Sequence, residues 1–128
     1  MDNARQVVDE WHRRLNGRDL DGLMELIAAR AEMAGPQGGG QGGPADVREW
    51  VERSDIRLEP QQTYACGDAV VVEQVARWPD SNGGGLTEPE TVFTAFQVTD
   101  GQITRLLRFG ELTPALEVSG LTEQNLVT

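Results

Sequence analysis

The chain has 128 residues, 38% of them hydrophobic and 25% charged, which suits one soluble domain around a single packed core. There is no Lys, one His and one Cys, so Schiff-base lysine chemistry, zinc fingers, His-rich metal sites and a disulfide framework are excluded. A net charge of −10 opposes binding to a nucleic-acid backbone, and no apolar run approaches a membrane span. The opening Met1-Asp2-Asn3-Ala4-Arg5 does not resemble a secretory signal, and with the lone Cys66 it leads us to expect a reducing cytoplasm.

Asn3 with Gln6 reads as a capping box, and Val7, Val8, Trp11 and Leu15 follow at helical spacing until Asn16-Gly17 ends the helix. Asp19 suits the N-cap of a second helix with Leu20, Leu23, Met24 and Ile27 on one face. Ala31 to Ala34 reads as a short strand that runs into a flexible Gly-rich stretch from Gly35 to Gly43. Pro44 suits the first turn of a third helix that presents Val47, Trp50 and Val51. From Ile56 the period changes to two: strands are expected at Ile56–Ala65 and Asp68–Trp78, around a turn at Cys66-Gly67. A second Gly-rich loop, Pro79 to Pro89, precedes strands at Glu90–Thr99 and Gln102–Gly110, joined by Asp100-Gly101. Pro114–Val118 reads as a short closing helix. The domain is expected over residues 1–118, with a loosely ordered tail over 119–128.

Helices followed by a four-stranded antiparallel meander predict an α+β fold with helices packed on one face of a sheet. Alternation places Val70, Val72, Gln74, Ala76 and Trp78 on one side and Val71, Glu73, Val75 and Arg77 on the other. The last two strands are apolar on both faces, and one helical layer covers only one. The other face therefore predicts a homodimer through the sheet.

Leu15-Asn16-Gly17-Arg18-Asp19-Leu20-Asp21-Gly22-Leu23, then Ala31-Glu32-Met33-Ala34-Gly35-Pro36 and Asp100-Gly101-Gln102-Ile103-Thr104, resemble the nuclear transport factor 2-like superfamily. That superfamily includes ketosteroid isomerases, limonene epoxide hydrolase and SnoaL-like polyketide cyclases. The resemblance spans about Ala4 to Leu116 and implies a curved sheet wrapped around a long helix, a cone with an apolar pocket at its mouth, and commonly a dimer. It specifies the fold more than the activity. The isomerase Tyr, Asp base and protonated Asp fall on Trp11, Gly35 and near Thr94. The epoxide hydrolase Arg, Asp and second Asp fall on Gln74, Ala76 and Arg108. Both carboxylate sets are thus replaced.

The expected inner surface carries Trp11, Met33, Trp50, Trp78, Phe96 and Leu106, with Gln74, Thr94 and Arg108 as polar groups. Each Trp has a bland reading as core filler, and Arg108 has one as a strand-edge residue reaching water or Glu111. In the functional reading Arg108 anchors an anion or carbonyl through its planar fork, with Gln74 orienting a ligand hydroxyl. His12 lies one position off the main apolar stripe and reads as a solvated or rim residue; Tyr64 and Cys66 read as structural. The Gly-rich loops match no phosphate-binding motif and read as rim loops able to act as lids.

The reading that follows is a small-molecule-binding protein for an apolar guest bearing an oxygen group, with no cofactor, metal, nucleic-acid or membrane partner. The alternative is a cyclase, isomerase or epoxide-opening hydrolase in which Arg108 and Gln74, the catalytic candidates, and a Trp indole polarise an oxygen. A third reading, a protein-interaction module using the second sheet face, rests on residues that self-association explains more simply.

Overall fold

The computed structural model describes residues 4–35, 38–79 and 89–127. Helix α1 (Ala4–Asn16) and the short α2 (Leu20–Glu25) open the chain. Strands β1 (Ile27–Gly35) and β2 (Gly38–Gly42) precede α3 (Pro44–Ser54). Then come β3 (Arg57–Cys66), β4 (Ala69–Arg77), β5 (Glu90–Thr99), β6 (Gln102–Phe109) and α4 (Leu112–Ser119), with one 3-10 turn at Glu123–Asn125. The six strands form one curved, unclosed sheet in the order β2-β1-β6-β5-β4-β3, an α+β fold. Register shifts between Pro60 and Gln62, Gln97 and Val98, and Ile27 and Glu32 mark irregularities of the bulge kind, which bend strands and raise their twist.

Local signals account for most boundaries. The Asp19 carboxylate accepts from Gly22 N at 3.1 Å and opens α2, and Pro44 sits in the first turn of α3. Asp100 and Gly101 take the positive φ values, 53° and 79°, that a tight β5–β6 hairpin requires. The expected cap at Asn3 lies outside the described residues, as does most of the loop from Pro79 to Pro89.

Three expectations are corrected. Ile27 does not belong to the second helix: α2 stops at Glu25 and Ile27 starts β1, four residues ahead of the strand expected at Ala31. The stretch from Gly38 to Gly42 is a strand rather than a flexible loop, paired antiparallel to β1 from Ala31↔Gly42 to Gly35↔Gly38. Glycine disfavours strands, but here the backbone of β1 supplies the partners, and no side-chain alternation announces them. The sheet is also not an antiparallel meander throughout, because β1 runs parallel to β6 through Glu32↔Arg105, Met33↔Leu106 and Ala34↔Leu107. That pairing joins segments about seventy residues apart, beyond the reach of periodicity.

The main core lies between the inner face of the sheet and α1–α3, around the fully buried Trp11, Leu15, Leu23, Val70 and Phe96. A second cluster, Tyr64, Val71, Ala95, Leu107, Ala115, Leu116 and Leu121, lies on the opposite face. Helices thus cover both faces: α4, longer than the expected Pro114–Val118, packs within the chain on part of the surface that the sequence argument reserved for another subunit. Beyond α4, Leu126 bridges to Tyr64, and Val127 N donates to Thr63 O at 2.8 Å.

Candidate functional site

Helix α1 supplies one wall of the site. Its buried residues Ala4, Val7, Val8, Trp11, His12 and Leu15 form one stripe, so His12 belongs to the apolar face and not to the rim. The spacing Ala4, Val8, His12 carried that signal. Asn16 pins the end of α1 to β3 by a two-way bond: Nδ2 donates to Leu58 O at 2.7 Å and Oδ1 accepts from Leu58 N at 2.9 Å. Val47 and Val51 anchor α3 in the core, and the half-buried Trp50 of the same helix packs against its edge.

Between β1–β2, α1, α3 and β6 lies a cavity of about 580 Å³. Six of the nine expected site residues line it: Trp11, Met33, Trp50, Thr94, Leu106 and Arg108. The register explains their meeting, since Met33 pairs with Leu106 and Thr94 with Arg108 across adjacent strands. The other three do not reach it. Phe96 is core, edge-on to the Trp11 ring with centroids 5.2 Å apart; Trp78 is half-buried against the main core; Gln74 lies fully buried behind Thr94. Sequence reading missed Ala34, Gly40, Gln41, Gly42, Asp46, Val47 and Leu58 in the wall. Asp46 stands four residues before Trp50 on α3, a helical spacing that could have found it; the β2 residues gave no signal.

Although both family carboxylate sets are replaced, Asp46 brings one acid to the cavity wall. It is exposed, at the mouth, and its Oδ2 accepts from Gly43 N at 2.8 Å, so the carboxylate caps α3. A Cβ on Gly42 would meet Met33 Sδ at 2.9 Å and Asp46 Oδ2 at 3.1 Å, so a bare backbone at this strand end lets both side chains converge.

The polar interior is ordered by His12. Its Nδ1 lies 2.8 Å from Val8 O and its Nε2 lies 2.7 Å from Gln74 Nε2. Thr94 Oγ1 donates to Gln74 Oε1 at 2.6 Å. Burial pulls the His12 pKa below its ordinary 6.5, against the opposing effects of the Val8 carbonyl and Asp9, so the ring is neutral at pH 7.

Two wall residues, Trp11 and Arg108, carry donors with no hydrogen-bond acceptor or ion-pair partner among the described residues. The Trp11 Nε1–H is buried with no acceptor among the described residues. Arg108 is half-buried, and its guanidinium stands over the Trp50 ring, 5.4 Å from the centroid. It forms no ion pair among the described residues, with Glu111 or any other carboxylate; burial lowers its pKa while the charge of Glu90 acts to raise it. No cluster of three or more metal-ligating side chains occurs among the described residues, and no helix there is long and apolar enough to cross a membrane.

The curved, unclosed six-stranded sheet with its helices matches the nuclear transport factor 2-like class of α+β proteins. Within that class the chain belongs to the SnoaL-like domain family, whose model matches residues 8–106. A comparison with curated protein sequences finds no match. Among solved structures, a candidate polyketide cyclase of Sinorhizobium meliloti is similar at 21% identity and TM-score 0.67, over 80% of this chain and 93% of that one. A candidate ketosteroid isomerase of Kribbella flavida is similar at 22% identity and TM-score 0.69, over 83% and 76%. TerC, co-crystallised with polyporic acid, is similar at 19% identity and TM-score 0.70, over 91% and 96%.

Proposed function

We propose that this protein binds a small, largely apolar molecule bearing an acceptor oxygen, held in the cavity by Arg108 and the Trp11 indole N–H. The observation that supports this reading is that two residues lining one largely apolar cavity carry donors, one of them cationic, with no acceptor among the described residues. A buried N–H without an acceptor costs roughly 1–3 kcal/mol, a penalty that a ligand oxygen removes. The co-crystal of TerC with polyporic acid supports the idea that this fold accepts organic acids. Titration with 2-naphthoate, read by tryptophan fluorescence, tests it. Arg108→Met is expected to weaken binding roughly tenfold, the loss of one charge-assisted hydrogen bond. Unchanged affinity removes Arg108 as the anchor.

An enzyme, a cyclase, isomerase or epoxide-opening hydrolase, is the second reading, and the Asp46 carboxylate in the wall favours it. A carboxylate and a guanidinium lining one cavity are the groups that enolising a carbonyl compound needs. Protein-dependent exchange of the α-hydrogens of 2-tetralone in D2O, lost in Asp46→Asn, would support it; no exchange above buffer leaves the binding reading. As partner we propose a second copy of this chain, seated on the part of the outer sheet face around the half-buried Val75, Phe93 and Phe109. Light scattering at micromolar concentration that returns a single chain mass would remove this dimer. The lone Cys66 favours a reducing, cytoplasmic setting.

A further inference from the structure

We propose that the buried chain His12–Gln74–Thr94 makes Thr94 Oγ1 an obligate hydrogen-bond acceptor at the cavity wall. The site then selects molecules that present an O–H or N–H donor to Thr94 together with an acceptor oxygen for Arg108 and Trp11. The chemical class is a hydroxylated carbonyl or phenolic compound. This rests on the cavity being a ligand site, and goes beyond that reading by assigning the direction of each hydrogen bond.

The direction follows from one fixed point. The Val8 carbonyl can only accept, so the His12 Nδ1 at 2.8 Å must carry a hydrogen. A neutral imidazole has one N–H, so Nε2 is then a lone pair, and the group 2.7 Å away must be the donor NH2 of Gln74. This orients the amide, and its Oε1 can only accept from the Thr94 hydroxyl at 2.6 Å. Thr94 spends its single hydrogen inward and has only lone pairs left for the cavity it lines. Turning the amide around would oppose its carbonyl to the His12 lone pair, and recovering that contact needs a protonated ring, which burial disfavours. Gln74 and His12 are thus positioning residues: neither lines the cavity, and both act through Thr94.

Two measurements test the inference. His12 is the only histidine, so the nitrogen-15 spectrum of its ring is unambiguous. The Nδ1–H tautomer is expected, and an Nε2–H tautomer or a cationic ring at pH 7 overturns the proposal without any ligand. The second uses the probe pair 2-naphthol and 2-methoxynaphthalene, in which a methyl group takes the place of the donor hydrogen. Wild-type protein is expected to favour the naphthol roughly tenfold, the discrimination of one neutral hydrogen bond. Thr94→Val should remove that preference by lowering naphthol affinity. Gln74→Leu should remove it by freeing the Thr94 hydroxyl to donate, raising methoxynaphthalene affinity; a merely structural role would weaken both probes alike. If both probes bind equally to wild type, or the preference survives Gln74→Leu with a native circular dichroism spectrum, the relay does not set selectivity although the cavity binds. If neither probe binds, and 2-naphthoate does not either, the cavity reading fails and the selection falls with it.

Discussion

Replacing Gln74 by Leu places a side chain of similar size at a position with no exposed surface and two side-chain hydrogen bonds. The His12 Nε2 lone pair is stranded in the core, which costs roughly 1–3 kcal/mol. Thr94 loses a bond worth about 1 kcal/mol, but it borders the cavity and can be rehydrated there. The relief of burying Leu in place of an amide offsets part of this, so the net loss is expected at roughly 2–3 kcal/mol. For a chain of 128 residues this lowers Tm by roughly 6–12 °C. His12→Leu should cost roughly 2 kcal/mol through the stranded Gln74 amide. In the double variant neither polar group of the His12–Gln74 pair is left stranded, and only Thr94 and the Val8 carbonyl have lost a side-chain partner, so the two losses should not add, and the coupling is expected near 2 kcal/mol. Urea unfolding of the four proteins closes the cycle. A coupling under about 0.5 kcal/mol, or Gln74→Leu no less stable than wild type, refutes the account of this chain as a buried network.

Two further outcomes follow from the geometry. His12 has its folded pKa lowered below 6.5 by burial, so above that pH the ring is neutral in both states and contributes no pH dependence. Below it the unfolded chain takes up a proton that the folded chain refuses, and stability falls as pH falls, by at most about 1.4 kcal/mol per unit, until the folded pKa is reached. Melts from pH 7.5 to 5 should show wild type losing more than His12→Leu, and parallel profiles would contradict this. Gly43→Ala would place a Cβ 2.7 Å from the Ala29 carbonyl oxygen, a backbone atom of β1 that cannot yield, and should cost roughly 1–3 kcal/mol. An unchanged Tm would show that β1 and the start of α3 are not locked together there.

The elements that local chemistry dictates were legible from residue order. Trp11 and Leu15 on a helix, Asp19 as a cap, Pro44 in a first turn, and Asp100-Gly101 between strands each carry their reason within a few residues. The face assignments of Thr94, Leu106 and Arg108 were legible too, because the side-chain period of a strand is two. With Trp11, Met33 and Trp50 they make six expected residues that line the cavity. What residue order could not carry is pairing between distant segments. A run of glycines shows no face of its own, so β2 exists only because the edge of β1 offers hydrogen bonds to Gly38–Gly42. The same holds for the parallel contact of β1 with β6 and for the return of α4 over Ala95 and Leu107. Polar satisfaction is likewise a property of the folded whole. Nothing within four residues of His12 indicates that its outer nitrogen meets Gln74, sixty-two positions on, or that the Trp11 indole N–H finds no acceptor among the described residues. Side-chain type determined which surfaces had to be buried; only packing in three dimensions decided which donors and acceptors were left facing the cavity.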